Sequence, residues 1–234
     1  MRIEGNELVI DAPINKQKIT GHSFVGLIGF DPFKSIGDTL LTMHKIVKEE
    51  VDPKWLKRGN FAEKVILTVY QREHKCVTYD PKQIHYDNFS LENFGGLIDI
   101  ELPEERTLIE VKSKSMKDYD YITFKQPQQE VYQGLYYGFL RGYSTITMEW
   151  VFFDEKTEDE IFNDKAPTTL KYLKKFSKTY TVNHDVMKDL LTRAYQINKE
   201  FEETGRINLN WVSNKMLEKL GLSRPDMRIC DLPF

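Results

Sequence analysis

Along the 234 residues, apolar and polar positions follow two rhythms that alternate several times. A period of two predicts short strands at 7–10, at 96–102 and from 107 to 112 or a little beyond. The run Thr145–Phe153 is rich in β-branched and aromatic residues, which predicts a buried strand. A helical period predicts helices at 36–50, where Leu40, Leu41, Ile46 and Val47 share a face, and at 60–70, 128–140 and 184–203. Punctuation sharpens these limits. Asn60 is an N-cap residue type, and Asp52-Pro53 is read as the end of the first helix, because a residue before proline leaves the helical region. Gly142 and Gly205 stand in the usual C-cap place, Pro103-Glu104-Glu105-Arg106 is hairpin-loop chemistry, and Asp31-Pro32 marks a turn. The stretch 72–92 is polar and broken, predicting short strands and turns. Strands interleaved with helices, without repeat or low-complexity tract, predict an α/β fold. Its central mixed β-sheet is flanked by helices and has the 96–102/107–112 hairpin in its core.

Composition narrows the class. Hydrophobic residues at 40% and charged residues at 29% are ordinary for a globular chain, and 13 Gly with 9 Pro exclude a fibrous one. With 33 basic against 36 acidic residues, net −3, no global positive field recruits nucleic acid, so any such contact is a local groove. Cys76 and Cys230 fit no metal or redox spacing, which favours a reducing compartment. The N-terminus lacks an apolar export core, and the most apolar stretch, 131–153, is interrupted by Arg141 and Glu149. A soluble, cytoplasmic protein without a membrane partner is expected.

Candidate chemistry lies in four segments: Arg58-Gly59-Asn60-Phe61-Ala62-Glu63, Gly95-Gly96-Leu97-Ile98-Asp99, Leu108-Ile109-Glu110-Val111-Lys112 and Gln133-Gly134-Leu135-Tyr136-Tyr137. Strand alternation sends Glu110 and Lys112 to one face and Val111 to the other. Ile98 and Ile100 flank Asp99 as Ile109 and Val111 flank Glu110, so each carboxylate interrupts an apolar run and needs a partner. Two close carboxylates raise each other's pKa, and a divalent cation reverses that. Carboxylates with a backbone carbonyl suit Mg²⁺, and a nearby lysine can hold the attacking water or neutralise a crowded phosphorus centre. Singly, each piece has a plainer reading: a strand ion pair, a turn, a solvated helix residue. Together they form an ordered series of helix Glu, strand Asp, strand Glu-x-Lys and helix Gln.

That series resembles the PD-(D/E)XK nuclease superfamily, and within it the phage-recombination exonucleases of the lambda exonuclease and YqaJ type. Ile19-Thr20-Gly21-His22-Ser23, followed by Ile28-Gly29-Phe30-Asp31-Pro32-Phe33-Lys34-Ser35, is similar to the family's Ile-Gly-Gly-Ser … Leu-Gly-x-Ser-Pro-Tyr-Lys-Ser segment. Arg58-Gly59-Asn60 with Glu63 is similar to its Arg-Gly-Asn-x-x-Glu motif, and the helix before Gly205-Arg206-Ile207 resembles its closing helix.

The resemblance implies a restriction-endonuclease-like nuclease domain over residues 1–207, with 208–234 as a tail on the body or on a neighbouring subunit. It implies Mg²⁺ (Mn²⁺ as substitute) held by Asp99, Glu110 and the Val111 carbonyl, with Glu63 on a second ion or its water. Lys112 is then the catalytic lysine, and Gln133 orients water or phosphate with Tyr137 beside it. Thr20, His22 and Ser23 hold a 5′ phosphate, although His22 stands where the family has serine. Arg58 is a further DNA-binding candidate, and Lys114 and Lys117, just past Lys112, are phosphate candidates from where they sit. The implied activity is 5′→3′ degradation of linear duplex DNA from its ends in phage-type recombination, by a homotrimeric ring with a single-strand annealing protein as partner. Alternatives are a structure-specific or restriction-like endonuclease with the same core and a non-catalytic DNA-binding or interaction protein. Lys171, Lys174, Lys175 and Lys178 near Tyr172 and Phe176 read either as DNA-facing or as a solvated helix face.

Overall fold

The computed structural model describes residues 1–79, 93–165 and 174–225. Its centre is a mixed sheet of β3 (Ile100–Leu102), β4 (Thr107–Ser115), β5 (Thr145–Phe153) and β6 (Lys174–Thr181), in that spatial order. β3 and β4 form the expected antiparallel hairpin, β4 and β5 run parallel, and β6 closes the far edge antiparallel to β5. A parallel pair needs a long crossover, supplied by α4 (Tyr119–Lys125) and α5 (Gln128–Arg141). A second small sheet joins β1 (Arg2–Glu4), β2 (Glu7–Val9) and β7 (Arg206–Asn208).

Period-two alternation builds a core on each face of the central sheet. Leu108, Ile146, Met148, Trp150 and Phe152 face α5, α1 (Gly21–Leu27) and α7 (His184–Thr204). Ile100, Ile109, Val111, Val151 and Phe153 face Ala62 and Ile66 of α3 (Pro53–Tyr70) and Ile161 of α6 (Glu155–Phe162). Burial of these large side chains contributes about 1.5–3 kcal/mol each. Glycine lets α5 ride low on the sheet: a Cβ at Gly134 would lie 2.7 Å from Met148 Sδ.

Several limits differ from the sequence expectation. Asp52-Pro53 opens α3 instead of closing the preceding helix: Asp52 Oδ1 accepts the Lys54 N–H at 2.9 Å and Pro53 takes the first turn, where its missing N–H is harmless. Asn60 is therefore interior to α3, and α2 (Ile36–Met43) is shorter than expected. β3 begins only at Ile100, because Asp99 turns its carboxylate to the neighbouring backbone. The lysine-rich segment is edge strand β6 rather than a helix face. Lys174 lies 3.9 Å above the Tyr119 ring, Lys175 pairs with Glu149 at 3.1 Å and Lys178 donates to Gln126 at 2.8 Å. Charged side chains on an edge strand deter edge-to-edge association. Lys171, Tyr172, Cys230 and residues 80–92 of the polar stretch lie outside the described residues. Beyond residue 207, Leu209, Val212, Met216 and Leu217 are buried in the main core, the last two from α8 (Asn214–Lys219). Among the described residues no helix is long and apolar enough to cross a membrane.

Candidate active site

Glu110 and Lys112 project from β4 toward α5, one strand repeat apart. Lys112 Nζ donates to Glu110 Oε1 at 2.8 Å and to Gln133 Oε1 of α5 at 3.0 Å. The β3–β4 register pairs Ile100 with Ile109, so one step further would set Asp99 opposite Glu110. There the ladder stops, and Asp99 Oδ2 instead accepts the Val111 N–H at 2.7 Å. A strand residue presents its N–H and C=O to the same edge, so the Val111 carbonyl shares the edge that β3 leaves beside Asp99. Glu63 reaches this group from α3, and its charge is felt at Asp99.

The electrostatics are those of crowded carboxylates. Burial, then the Glu63 charge, pushes Asp99 up to about 7. Burial, then Asp99, pushes Glu110 up to about 8. Glu63 is raised by burial and by Glu110. Lys112 is a cation: burial works to lower its pKa, but Glu110 and Asp99 outweigh it and hold it above the ordinary value. Glu110 is 3% exposed, and its Oε2 has no hydrogen-bond partner. A buried orphan carboxylate oxygen beside two repelling carboxylates is the donor set a hard dication relieves. With Glu110 Oε1 turned to Lys112, no three acidic, His or Cys side chains among the described residues form a ready-made ligand cluster.

A second concavity of about 210 Å³, lined by Lys18, Thr20, His22, Ser23, Lys34 and Glu49 among others, borders this site. The contact between them is backbone-close. Cβ atoms built at Gly21 and Gly96 would each lie 2.7 Å from the Tyr137 ring, and one at Gly21 would lie 3.0 Å from Gln133 Cγ. The Lys112 charge also reaches His22, which desolvation and then the Lys34 ammonium hold below its ordinary pKa. The Ser23 hydroxyl is committed to the start of α1, where it accepts the Thr20 N–H at 2.7 Å and donates to the Thr20 carbonyl at 3.1 Å. Ser23 is buried while Thr20 and His22 are exposed. Of the three expected phosphate ligands, Ser23 thus acts as a helix cap.

The structure brings together Glu63, Asp99, Glu110, Val111, Lys112, Gln133 and Tyr137, and sets the remaining candidates apart. Arg58 is turned inward: it donates to the Ser113 hydroxyl at 3.3 Å and the Ser113 carbonyl at 3.2 Å, pairs with Glu158, and lies 4.6 Å over the Trp55 ring. It clamps α3 to β4 and α6 rather than offering a free cation to DNA. Lys114 lies on the catalytic face but is paired with Glu130, whose Oε2 also accepts the Trp150 indole N–H at 2.7 Å. Lys117 is exposed and paired with Glu155 at 2.6 Å. Sequence reasoning treated Lys34 as part of a turn motif and passed over Glu49 and Glu130. Lys34 alone carried a signal, its place in the Asp31–Ser35 segment; no spacing in the chain links Glu49 or Glu130 to the site.

No family model and no curated protein matches the chain. Solved structures do. A phage-related exonuclease from Haemophilus somnus 129PT superposes with a TM-score of 0.55 at 15% identity, over 81% of this chain and 95% of that one. The alkaline exonuclease LHK-Exo of Laribacter hongkongensis gives 0.52 at 15% identity, over 80% and 88% of the two chains. The same enzyme in complex with dAMP gives 0.53 at 14% identity. The α/β core expected from the sequence is present, and it is the fold of phage-related and alkaline exonucleases.

Proposed function

We propose that this protein is a Mg²⁺-dependent deoxyribonuclease that degrades linear duplex DNA from its ends, 5′→3′. The observation that carries the reading is the convergence of Glu63 from α3, Asp99 just before β3, Glu110 and Lys112 from β4 and Gln133 from α5 into one site, on a fold shared with exonucleases. Asp99, Glu110 and the Val111 carbonyl would hold Mg²⁺ or Mn²⁺, with Glu63 beside them. When bound, the ion polarises the phosphate and lowers the pKa of water.

The chain's own groups do the rest. In the metal-free site Glu110 and Asp99 hold Lys112 as a cation, a hydrogen-bond donor and positive charge for the charge that develops on phosphate oxygen. Gln133 Oε1 holds that ammonium in place and so reduces reorganisation during reaction. Glu63 accepts a hydrogen bond from the attacking water and orients it. Thr20, His22 and Lys34 around the adjoining concavity bind a terminal 5′ phosphate, which selects ends without reading bases. In this reading the chain works as a homo-oligomer on duplex DNA, in phage-type recombination beside a single-strand annealing protein.

The test is digestion of linear and closed-circular duplex in Mg²⁺ and in EDTA, with 5′ phosphate or 5′ hydroxyl ends. Linear 5′-phosphorylated duplex should vanish fastest, and EDTA should stop all loss. Equal cutting of circles would replace this reading with the endonuclease one.

A further inference from the structure

The concavity beside the catalytic group is already charge-balanced from within. Lys34 Nζ donates to Glu49 Oε1 at 2.5 Å and sits 3.3 Å from His22 Nε2. Lys34 is only 19% exposed, whereas Glu49, on the chain that follows α2, is 42% exposed at the rim. The Lys34 backbone is set by an Asx turn, in which Asp31 Oδ1 accepts the N–H groups of Phe33 at 2.8 Å and Lys34 at 3.2 Å. A firmly held cation therefore faces a loosely held carboxylate, an anion whose oxygens resemble those of phosphate.

We propose that Glu49 is a built-in counter-anion that occupies the terminal-phosphate subsite of the free protein and sets a threshold of affinity that an incoming phosphate must exceed to enter it. The inference rests on the end-recognition reading above and adds its gatekeeper. A tethered carboxylate competes at high effective concentration, so an incoming group must outbid it for Lys34. An internal phosphodiester carries one negative charge, the same as Glu49, and gains nothing electrostatic by the exchange. A terminal phosphate carries about −1.5 to −2 at neutral pH and three acceptor oxygens, so it wins. A partly exposed ion pair is weak enough to exchange readily. Glu49 contacts no reacting atom in this scheme; it is a positioning residue acting through Lys34.

The test compares wild type with Glu49→Gln, which keeps the shape and removes the charge. Binding of end-labelled duplex bearing 5′ phosphate or 5′ hydroxyl, and competition by closed-circular duplex and by inorganic phosphate, are measured by fluorescence anisotropy in EDTA. In Glu49→Gln the 5′-phosphorylated duplex and inorganic phosphate should bind more tightly, by up to about fivefold, the size of one partly exposed ion pair. Hydroxyl-ended and circular DNA should gain no more than that, so the preference for the 5′ phosphate is kept or rises. On a Lys34→Ala background the same substitution should change nothing, as expected if both act through one contact.

Unchanged binding of inorganic phosphate and of the 5′-phosphorylated duplex in Glu49→Gln overturns the Glu49 inference alone and leaves end recognition standing. Equal wild-type binding of phosphate and hydroxyl ends removes the end-recognition reading and the inference with it. Uniformly weaker binding together with a lowered melting temperature in Glu49→Gln makes Glu49 structural, which also overturns the proposal.

Discussion

Three glutamates are buried in the central sheet, on adjacent strands, and they are treated in opposite ways. Glu101 of β3 is wholly buried and fully satisfied: it accepts from Tyr143 at 2.5 Å, from Arg141 Nε at 2.8 Å and from Tyr79. Although burial alone would raise it, these donors hold its pKa below the ordinary value. Glu149 of β5, equally buried, accepts from Tyr70 at 2.7 Å, Ser177 at 2.5 Å and Lys175 at 3.1 Å. Glu110 of β4, between them, has one lysine, one orphan oxygen and a repelling Asp99. Burial is common to all three, so it is not what marks a site. The difference is whether the fold finished the job of neutralising the charge. At Glu101 and Glu149 the charge is locked into structure; at Glu110 it is left available for something that arrives later.

The largest effect should come from breaking the unfinished side. Lys112→Ala and Glu110→Gln should each reduce DNA cleavage by on the order of 10²-fold or more, the loss typical of one preorganised electrostatic group. In Lys112→Ala the melting temperature should fall, because Glu110 and Asp99 lose the cation that balances them, whereas in Glu110→Gln above about pH 8 it should rise, because a repelled carboxylate is removed. Near wild-type turnover in Lys112→Ala would reduce the Glu110–Lys112 contact to an ordinary strand ion pair. Glu110→Gln and Asp99→Ala should also lose Mg²⁺ and Mn²⁺ binding in isothermal titration.

Breaking the finished side should do the reverse. Glu101→Gln leaves the partly exposed Arg141 without its counter-charge and should cost about 1–3 kcal/mol of stability, read by thermal or urea unfolding, with Mg²⁺ affinity retained. If instead Glu101→Gln lost metal binding and kept its stability, the distinction between the two centres would collapse.

A smaller effect sharpens the comparison. Asp99 and Glu110 are pushed up to about 7 and about 8 from ordinary values of 3.8 and 4.5. The folded state therefore holds protons that the unfolded chain releases. The resulting stabilisation is complete below about pH 4 and disappears as pH rises through 7 to 8. Metal-free wild type should lose at least about 1 kcal/mol relative to Glu110→Gln across that window, about 2–4 °C in melting temperature. Mg²⁺ should abolish the difference. A gap between the two proteins that stays constant with pH would show that Glu110 is not strained by its neighbours.

Strong local signals made much of this arrangement legible in the chain. Thr145–Phe153 is a strand with the limits its composition predicts, and Gly142 and Gly205 end α5 and α7 in the left-handed conformation only glycine adopts easily. The period-two spacing put Glu110 and Lys112 on one face without further help. Other elements depend on tertiary support. α1 contains two glycines and a valine in seven residues and is helical because nearly all of it is buried. β6 is lysine-rich and mostly exposed, so its alternation carries little apolar contrast, and pairing with β5 decides it. The Lys34–Glu49 contact spans a turn and a helix, and no periodicity could disclose it. Arg58 shows the opposite failure: a motif match located it, but only packing revealed that its guanidinium is used internally.

Tyr137 is wedged between two backbones, with Gly21 on one side and Gly96, at φ +144°, on the other. The consequence concerns mutational tolerance. A methyl group at either glycine would drive the ring away and, from Gly21, press on Gln133 as well. In a saturation library selected for the activity proposed here, these two positions should be depleted as severely as Glu110 and Lys112. They have no side chain with which to do chemistry, yet the room they leave sets how closely the Thr20–His22 segment and the Glu110–Lys112–Gln133 group can stand.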